Sequence, residues 1–258
     1  MGNLKLKKFS EVNLVLSGGA AKGIAHIGVL KALEEIGVKV KRISGASAGA
    51  IVSTFYSAGY SPDEMLSLLK EINWFKLFRF KAPIYGLIGW DKAYKFLESK
   101  LGDLKIEELQ IPAYICATDL YTGRPIYFNQ GELIPILLGS CSIPGIFQPV
   151  KYKDFLLVDG GIVNNLPVEP FQNTQEPTIC VDVLPISEDR NIKNVVHILL
   201  RSFFLAVRSS SEKRKEFCNL VIVPDLREFS SFDVKKAQRI VQRGYEKTLE
   251  TFNWFELL

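Results

Sequence analysis

The feature that most constrains this chain is the run Arg42-Ile43-Ser44-Gly45-Ala46-Ser47-Ala48-Gly49-Ala50-Ile51-Val52. An apolar approach, a Gly-x-Ser-x-Gly centre and an apolar continuation at helical spacing describe a strand that turns sharply into a helix and presents a serine at the turn. Such a turn forces backbone angles that glycine adopts cheaply, which is the role read for Gly45 and Gly49. The small side chains of Ala46, Ala48 and Ala50 keep the hydroxyl approachable. The helix that follows puts its positive end near Ser47, where negative charge would develop during attack on a carbonyl. Ser47 is therefore a candidate nucleophile. The same residues also suit a plain strand-to-helix turn without chemistry, so the reading needs partners elsewhere in the chain.

A second unit of the same kind precedes it. Val12 to Leu16 is a short apolar run ending at Ser17-Gly18-Gly19-Ala20-Ala21-Lys22-Gly23, after which Ile24, Ile27, Leu30, Leu33 and Ile36 recur at helical spacing and Gly37 stops the pattern. The loop bares backbone N–H groups at a helix start, a place suited to negative charge. It could cradle a phosphate or form an oxyanion hole for Ser47. The residues fit neither nucleotide pattern: Ala20 stands where G-x-G-x-x-G needs glycine, and Ile24 stands where a P-loop needs lysine.

At 258 residues, 47% hydrophobic and 23% charged, the chain reads as one globular domain over residues 1–258. Its net charge of +4 is spread along the sequence and gathered into no stripe, which argues against nucleic acid as a partner. Cys116, Cys141, Cys180 and Cys218 stand far apart with no C-x-x-C, so reduced, buried thiols in a reducing interior are expected. Val12 to Leu16 is too short for a secretory h-region. Val195 to Val207, interrupted by His197 and Arg201, falls short of the ~20 residues of a membrane span. Leu6 occupies the position where myristoylation needs Ser or Thr. A cytoplasmic protein, at most peripheral to the inner face of the membrane, is the expectation.

Further along, Lys39 to Gly45 reads as a strand, Ala48 to Ala58 as a helix, and Ser61-Pro62-Asp63-Glu64 as the start of another. Residues 73–90 mix Trp74, Phe75, Phe78, Phe80, Tyr85 and Trp90 with Lys76, Arg79 and Lys81. That composition suits a lid or lip touching membrane or lipid, and equally a loop packed on the core. Asp91 to Leu101 is helical, Ala113 to Thr118 and Ile126 to Phe128 form a hairpin, and Glu132 to Ser140 is helical. Ser140-Cys141-Ser142-Ile143-Pro144-Gly145 offers small residues that could line a pocket, with Cys141 either a reactive thiol or plain packing. Thr178 to Leu184 and Leu220 to Val223 are further strands, Val195 to Val207 an amphipathic or buried helix, and Asp233 to Phe252 a closing helix.

Phe155 to Val158 is a strand that stops at Asp159-Gly160-Gly161. A carboxylate there would lie at the edge of a parallel sheet where Ser47 emerges, since ligand sites of open α/β sheets lie at that edge; an aspartate capping its own turn is the alternative. A serine needs a base, and the histidines are His26 and His197. The order Ser47, Asp159, His197 matches an α/β-hydrolase triad, yet only one strand precedes the Ser47 strand and His197 lies within an apolar run. His26 lies beside the glycine loop, whose N–H groups disfavour a charged imidazolium. The other arrangement is a dyad in which a partly desolvated Asp159 takes the Ser47 proton, with N–H groups of Gly18, Gly19 and Ala20 meeting the oxyanion.

Together, the loop Gly18 to Gly23, Gly45-Ala46-Ser47-Ala48-Gly49, and Asp159-Gly160-Gly161 with Asn165 and Pro167 resemble the patatin-like phospholipase family. The likeness covers about residues 12–170. It implies a three-layer α/β/α sandwich with a central, mostly parallel sheet. It also implies Ser-Asp dyad hydrolysis of acyl-lipid esters, with no metal or other cofactor. Ala20 replaces a third glycine of many members, which keeps the N–H provided its backbone angles are ordinary. Lys22 fills a position that is basic in the family and would steady the loop or attract an anionic head group. A lipid-binding protein without turnover and a nucleotide-binding module remain as rival readings.

Overall fold

The computed structural model describes residues 9–71, 79–80, 88–184, 192, 194–231 and 233–257. In chain order its elements are β1 (Glu11–Leu16), α1 (Ala25–Glu35), β2 (Lys39–Ala46), α2 (Ala48–Ser57), α3 (Pro62–Glu71), β3 (Arg79–Phe80), β4 (Ile88–Gly89), α4 (Asp91–Leu101), β5 (Ala113–Asp119), β6 (Arg124–Phe128), α5 (Leu133–Ser140), β7 (Val150–Tyr152), β8 (Phe155–Asp159), α6 (Gly161–Asn164), β9 (Thr178–Val181), α7 (Val195–Arg214), β10 (Leu220–Ile222) and α8 (Ala237–Leu257). The main sheet is eight-stranded, in the order β10-β9-β1-β2-β5-β8-β7, with β6 also paired to β5. Strands β10, β9, β1, β2 and β5 are parallel, whereas β6, β8 and β7 are added antiparallel.

Side-chain alternation along β1 and β9 explains the layers. Leu14, Leu16, Ile179 and Val181 join Leu30, Leu33, Ala50, Ile240 and Phe252 in the larger core, so α1, α2 and α8 cover one face. Val15 and Cys180 point the other way, against Leu166, Val168 and Phe171. Strands covered on both faces read as continuous apolar runs, as Val12 to Leu16 does, apart from Asn13. The result is the three-layer α/β/α sandwich that the sequence resemblance implies. Each fully buried leucine in the larger core, Leu14 and Leu30 among them, contributes about 1.5–3 kcal/mol relative to exposure. Helices α1 and α8 approach backbone to backbone, since a Cβ on Gly28 would overlap the Val241 carbonyl and one on Gly244 the Ala25 carbonyl.

Helix α3 begins where its sequence signals it: Ser61 N–H donates to Glu64 Oε2 at 2.8 Å and Glu64 N–H to Ser61 Oγ at 3.3 Å. Other boundaries move. Residues 182–184 leave the sheet after β9, and α8 begins at Ala237 because the 3-10 turn Val234–Lys236 precedes it. Strand β7 has no clear pattern in the sequence. Of the aromatic segment expected as a lid, residues 73–78 and 81–87 lie outside the described residues.

The cysteine reading needs correction. Cys180, on β9, and Cys218, just before the adjacent β10, are joined as a disulfide with Cα atoms 5.9 Å apart. Their separation of 38 residues concealed the contact, because it is made by the side-by-side pairing of two strands. This removes the support that four reduced thiols lent to a reducing interior. Cys116 and Cys141 are free, and burial raises both thiols, so Cys141 is not an activated thiolate.

Candidate active site

The site forms where β5 changes partner along one edge. Strand β2 pairs with β5 up to Ala46 opposite Cys116, and β8 takes the same edge from Asp159 opposite Ala117 onward, while β6 holds the other edge. Ser47 leaves the end of β2 and Asp159 ends β8, so the two strands meet head-on. Asp159 was expected at the edge of a parallel sheet; it reaches Ser47 from an antiparallel strand instead.

Ser47 has φ 53° and ψ −122°, a left-handed backbone held by a non-glycine residue. Such strain persists only where the surroundings determine it. Here the glycines do so by proximity: a Cβ on Gly45 would lie 2.5 Å from the Gly49 carbonyl, and one on Gly49 would overlap the Leu16 carbonyl. The Ser47 N–H donates to Ser140 Oγ at 3.0 Å, and Ser140 Oγ donates to the Cys116 carbonyl at 2.6 Å. The same short segment holds the acid, because the Asp159 N–H donates to the Ser142 carbonyl at 2.9 Å and the Gly160 N–H to the Ser140 carbonyl at 3.2 Å. Trp90 steadies Ser142 in turn, its Nε1–H reaching Ser142 Oγ at 3.0 Å and the Gln148 carbonyl at 2.9 Å. Ser140 and Ser142 were read only as small pocket-lining residues; their bridging role has no local signal, since their partners lie far off in the chain.

Asp159 is buried. Its Oδ1 accepts the Gly161 N–H at 2.8 Å, and among the described residues Oδ2 has no hydrogen-bond partner. Burial raises its pKa to about 7, against the opposing pull of the Ser47 hydroxyl and the Gly161 N–H. The Ser47 hydroxyl thus neighbours the carboxylate. The glycine loop abuts the serine: a Cβ on Gly18 would lie 3.1 Å from Ser47 Cβ and 2.5 Å from Asn165 Oδ1. Asn165 ties the loops together, its carbonyl accepting the Gly18 N–H at 3.3 Å. That bond departs from the expectation that Gly18 offers an open donor. Among the described residues, the Gly19 and Ala20 N–H groups donate to no protein acceptor. Ala20 has φ 48°, so its backbone is not ordinary and the glycine common at this position has a conformational reason. Lys22 is buried, with 6% exposure, which fits steadying the loop and not meeting a head group.

Neither histidine is oriented by Asp159. His26 lies beneath the loop with Nε2 2.8 Å from the Ser17 carbonyl, and burial lowers its pKa to about 4, so it stays neutral and donates to that carbonyl. His197 sits in the first turn of α7, where its N–H is capped by Asn194 Oδ1 at 3.0 Å. The helix around it is not the amphipathic or buried element expected, because Val195, Ile198 and Leu199 face solvent. Among the described residues, no three His, Cys, Asp or Glu side chains gather as a metal site, and no helix is long and apolar enough to cross a membrane.

A strained serine turn, a buried aspartate and a glycine loop meet at one place on a mostly parallel sheet. The sequence profile described as Patatin-like phospholipase matches residues 14–171, and the chain belongs to that family. It is 30% identical over 230 residues to the neuropathy target esterase sws of Drosophila melanogaster, covering 86% of this chain and 16% of that protein. It is 37% identical over 162 residues to an uncharacterized NTE family protein of Mycobacterium tuberculosis, covering 62% of this chain and 45% of the relative. The chain thus spans less than half the length of these curated relatives. In fold it is similar to VipD from Legionella pneumophila, with a TM-score of 0.62 at 18% identity over 95% of this chain and 67% of that one.

Proposed function

We propose that this chain is a serine acyl hydrolase that cleaves carboxylic ester bonds of lipids through Ser47 and Asp159. The observation that carries the reading is the head-on meeting of β2 and β8, which sets a strained serine beside a buried carboxylate whose Oδ2 is unpaired among the described residues. Ser47 Oγ attacks the ester carbonyl carbon while Asp159 takes its proton. A carboxylate whose pKa is near 7 is a far better base than one in water. The tetrahedral oxyanion is met by the Gly19 and Ala20 N–H groups, with Gly18 shaping the loop. Collapse expels the alcohol, which takes the proton from Asp159 and leaves an acyl-serine. Water then attacks the acyl carbon and gives a proton to Asp159, which returns it to Ser47 as the fatty acid leaves. Membership of the patatin-like phospholipase family supports lipids as the substrate class, and the yeast relative named Lysophospholipase NTE1, 27% identical over 268 residues, agrees with this.

The test is hydrolysis of a short-chain p-nitrophenyl ester, with EDTA present, by the wild type, Ser47→Ala and Asp159→Asn. Turnover that survives EDTA and falls by roughly 10³-fold or more in both variants is expected. A folded wild type without turnover would sink the reading and favour a lipid-binding protein.

A further inference from the structure

Helix α7 carries an apolar face that no described residue covers. Val195, Ile198, Leu199 and Leu205 are 68%, 52%, 42% and 51% exposed, and with Ser202 they form one stripe over the first three turns. The opposite side is apolar too: Phe203 and Phe204 pack against Ile143 and Ile146 in a small cluster with Ile88 and Phe147. An exposed apolar stripe of this length calls for a partner.

Two observations identify that partner. The first is charge. From Val195 to Ser211 the helix has no acidic residue and carries His197, Arg201 and Arg208; the first carboxylate, Glu212, lies 3.9 Å from Arg208. Apolar residues flanked by arginines suit a surface of anionic lipid. The second is position. Leu199 lies against Gly145, Val207 against Gly161, and Ser211 Oγ is 3.5 Å from Asn165 Nδ2. The helix therefore runs along the loops that hold Asp159 and the glycine turn.

We propose that the exposed face of α7 docks on an anionic lipid bilayer, bringing the opening beside Ser47 and Asp159 onto the membrane. The value of such docking to the protein rests on the reading of that pair as a lipid hydrolase. Membrane contact is thereby assigned to α7, apart from the aromatic segment 73–90.

The test compares the wild type with the double variant Ile198→Ser, Leu205→Ser, both exposed positions whose change removes no core packing. Co-sedimentation is measured with phosphatidylcholine vesicles, with and without phosphatidylglycerol. The wild type is expected to bind the phosphatidylglycerol vesicles, more weakly as salt is raised, and the double variant to bind about tenfold less. Turnover of a soluble short-chain ester should be equal in the two. Equal vesicle binding by both proteins, or no binding by the wild type, would overturn the proposal. So would a dimer in sedimentation equilibrium that the double substitution dissociates. Vesicle binding with no ester turnover would fault only the hydrolase reading; turnover without vesicle binding would fault only the docking.

Discussion

Ser140 Oγ accepts the Ser47 N–H at 3.0 Å while donating to the Cys116 carbonyl at 2.6 Å, so one buried hydroxyl links the strained serine to β5. Replacing it strands a buried donor and a buried acceptor, which costs about 1–3 kcal/mol. Ser140→Ala is expected to lower stability by that amount and kcat by roughly tenfold, with KM little changed, because the hydroxyl positions Ser47, the proposed nucleophile, and not the substrate. Denaturant melts and steady-state kinetics of the variant check this; a KM effect with unchanged kcat would contradict it.

Ester turnover should follow the ionisation of Asp159. The base must be unprotonated, and burial raises its pKa to about 7. The rate therefore rises with pH and levels off above about 7. A pH–rate profile with its limb in the ordinary carboxylate range would show that burial does not raise the base's pKa, and a rate independent of pH would show that no carboxylate is the base.

The same buried carboxyl makes stability pH-dependent. Its native pKa of about 7 exceeds the 3.8 of an unfolded aspartate. Between those values the native state holds the proton more tightly, so wild-type stability falls as pH rises from about 4 to about 7. The full difference is on the order of 4 kcal/mol at ~1.4 kcal/mol per pH unit. Asp159→Asn lacks this loss, and its Tm advantage over the wild type is expected to grow across that window and stay flat above it. Calorimetry at several pH values reads the trend directly.

Gly49 cannot carry a side chain, because its Cβ would overlap the Leu16 backbone carbonyl of the neighbouring strand. Backbone cannot yield as a flexible side chain can. Gly49→Ala is expected to abolish folded, soluble protein or to lower Tm by more than roughly 10 °C. By contrast, Gly102→Ala should cost only the strain of its positive φ of 63°, about 1–3 kcal/mol, because nothing lies within 4 Å of its Cβ position. Near-equal melting of the two variants would refute the steric account.

With Cys180 and Cys218 paired, thiol titration of the unfolded, unreduced protein should find Cys116 and Cys141 alone. Closing a loop of 38 residues restricts the unfolded chain, so Cys218→Ser is expected to lower stability by roughly 2–4 kcal/mol. Four reactive thiols would show the pair to be reduced.

What the sequence by itself determined was local. A turn that exposes a serine needs glycine on both sides, a loop that bares N–H groups needs small residues, and parallel strands covered on both faces read as apolar runs. Hence Ser47, the Gly18–Gly23 loop, Asp159 and the strand–helix units around them were legible from neighbours in the chain. Tertiary structure decided what depends on segments far apart. It reversed the direction of β8, set Ser140 under Ser47, engaged the Gly18 N–H with Asn165, joined Cys180 to Cys218 and left Val195, Ile198 and Leu205 on α7 exposed. The reason is physical: sheet order and strand direction are chosen by the packing of the whole core, and no short-range spacing records which distant strands become neighbours.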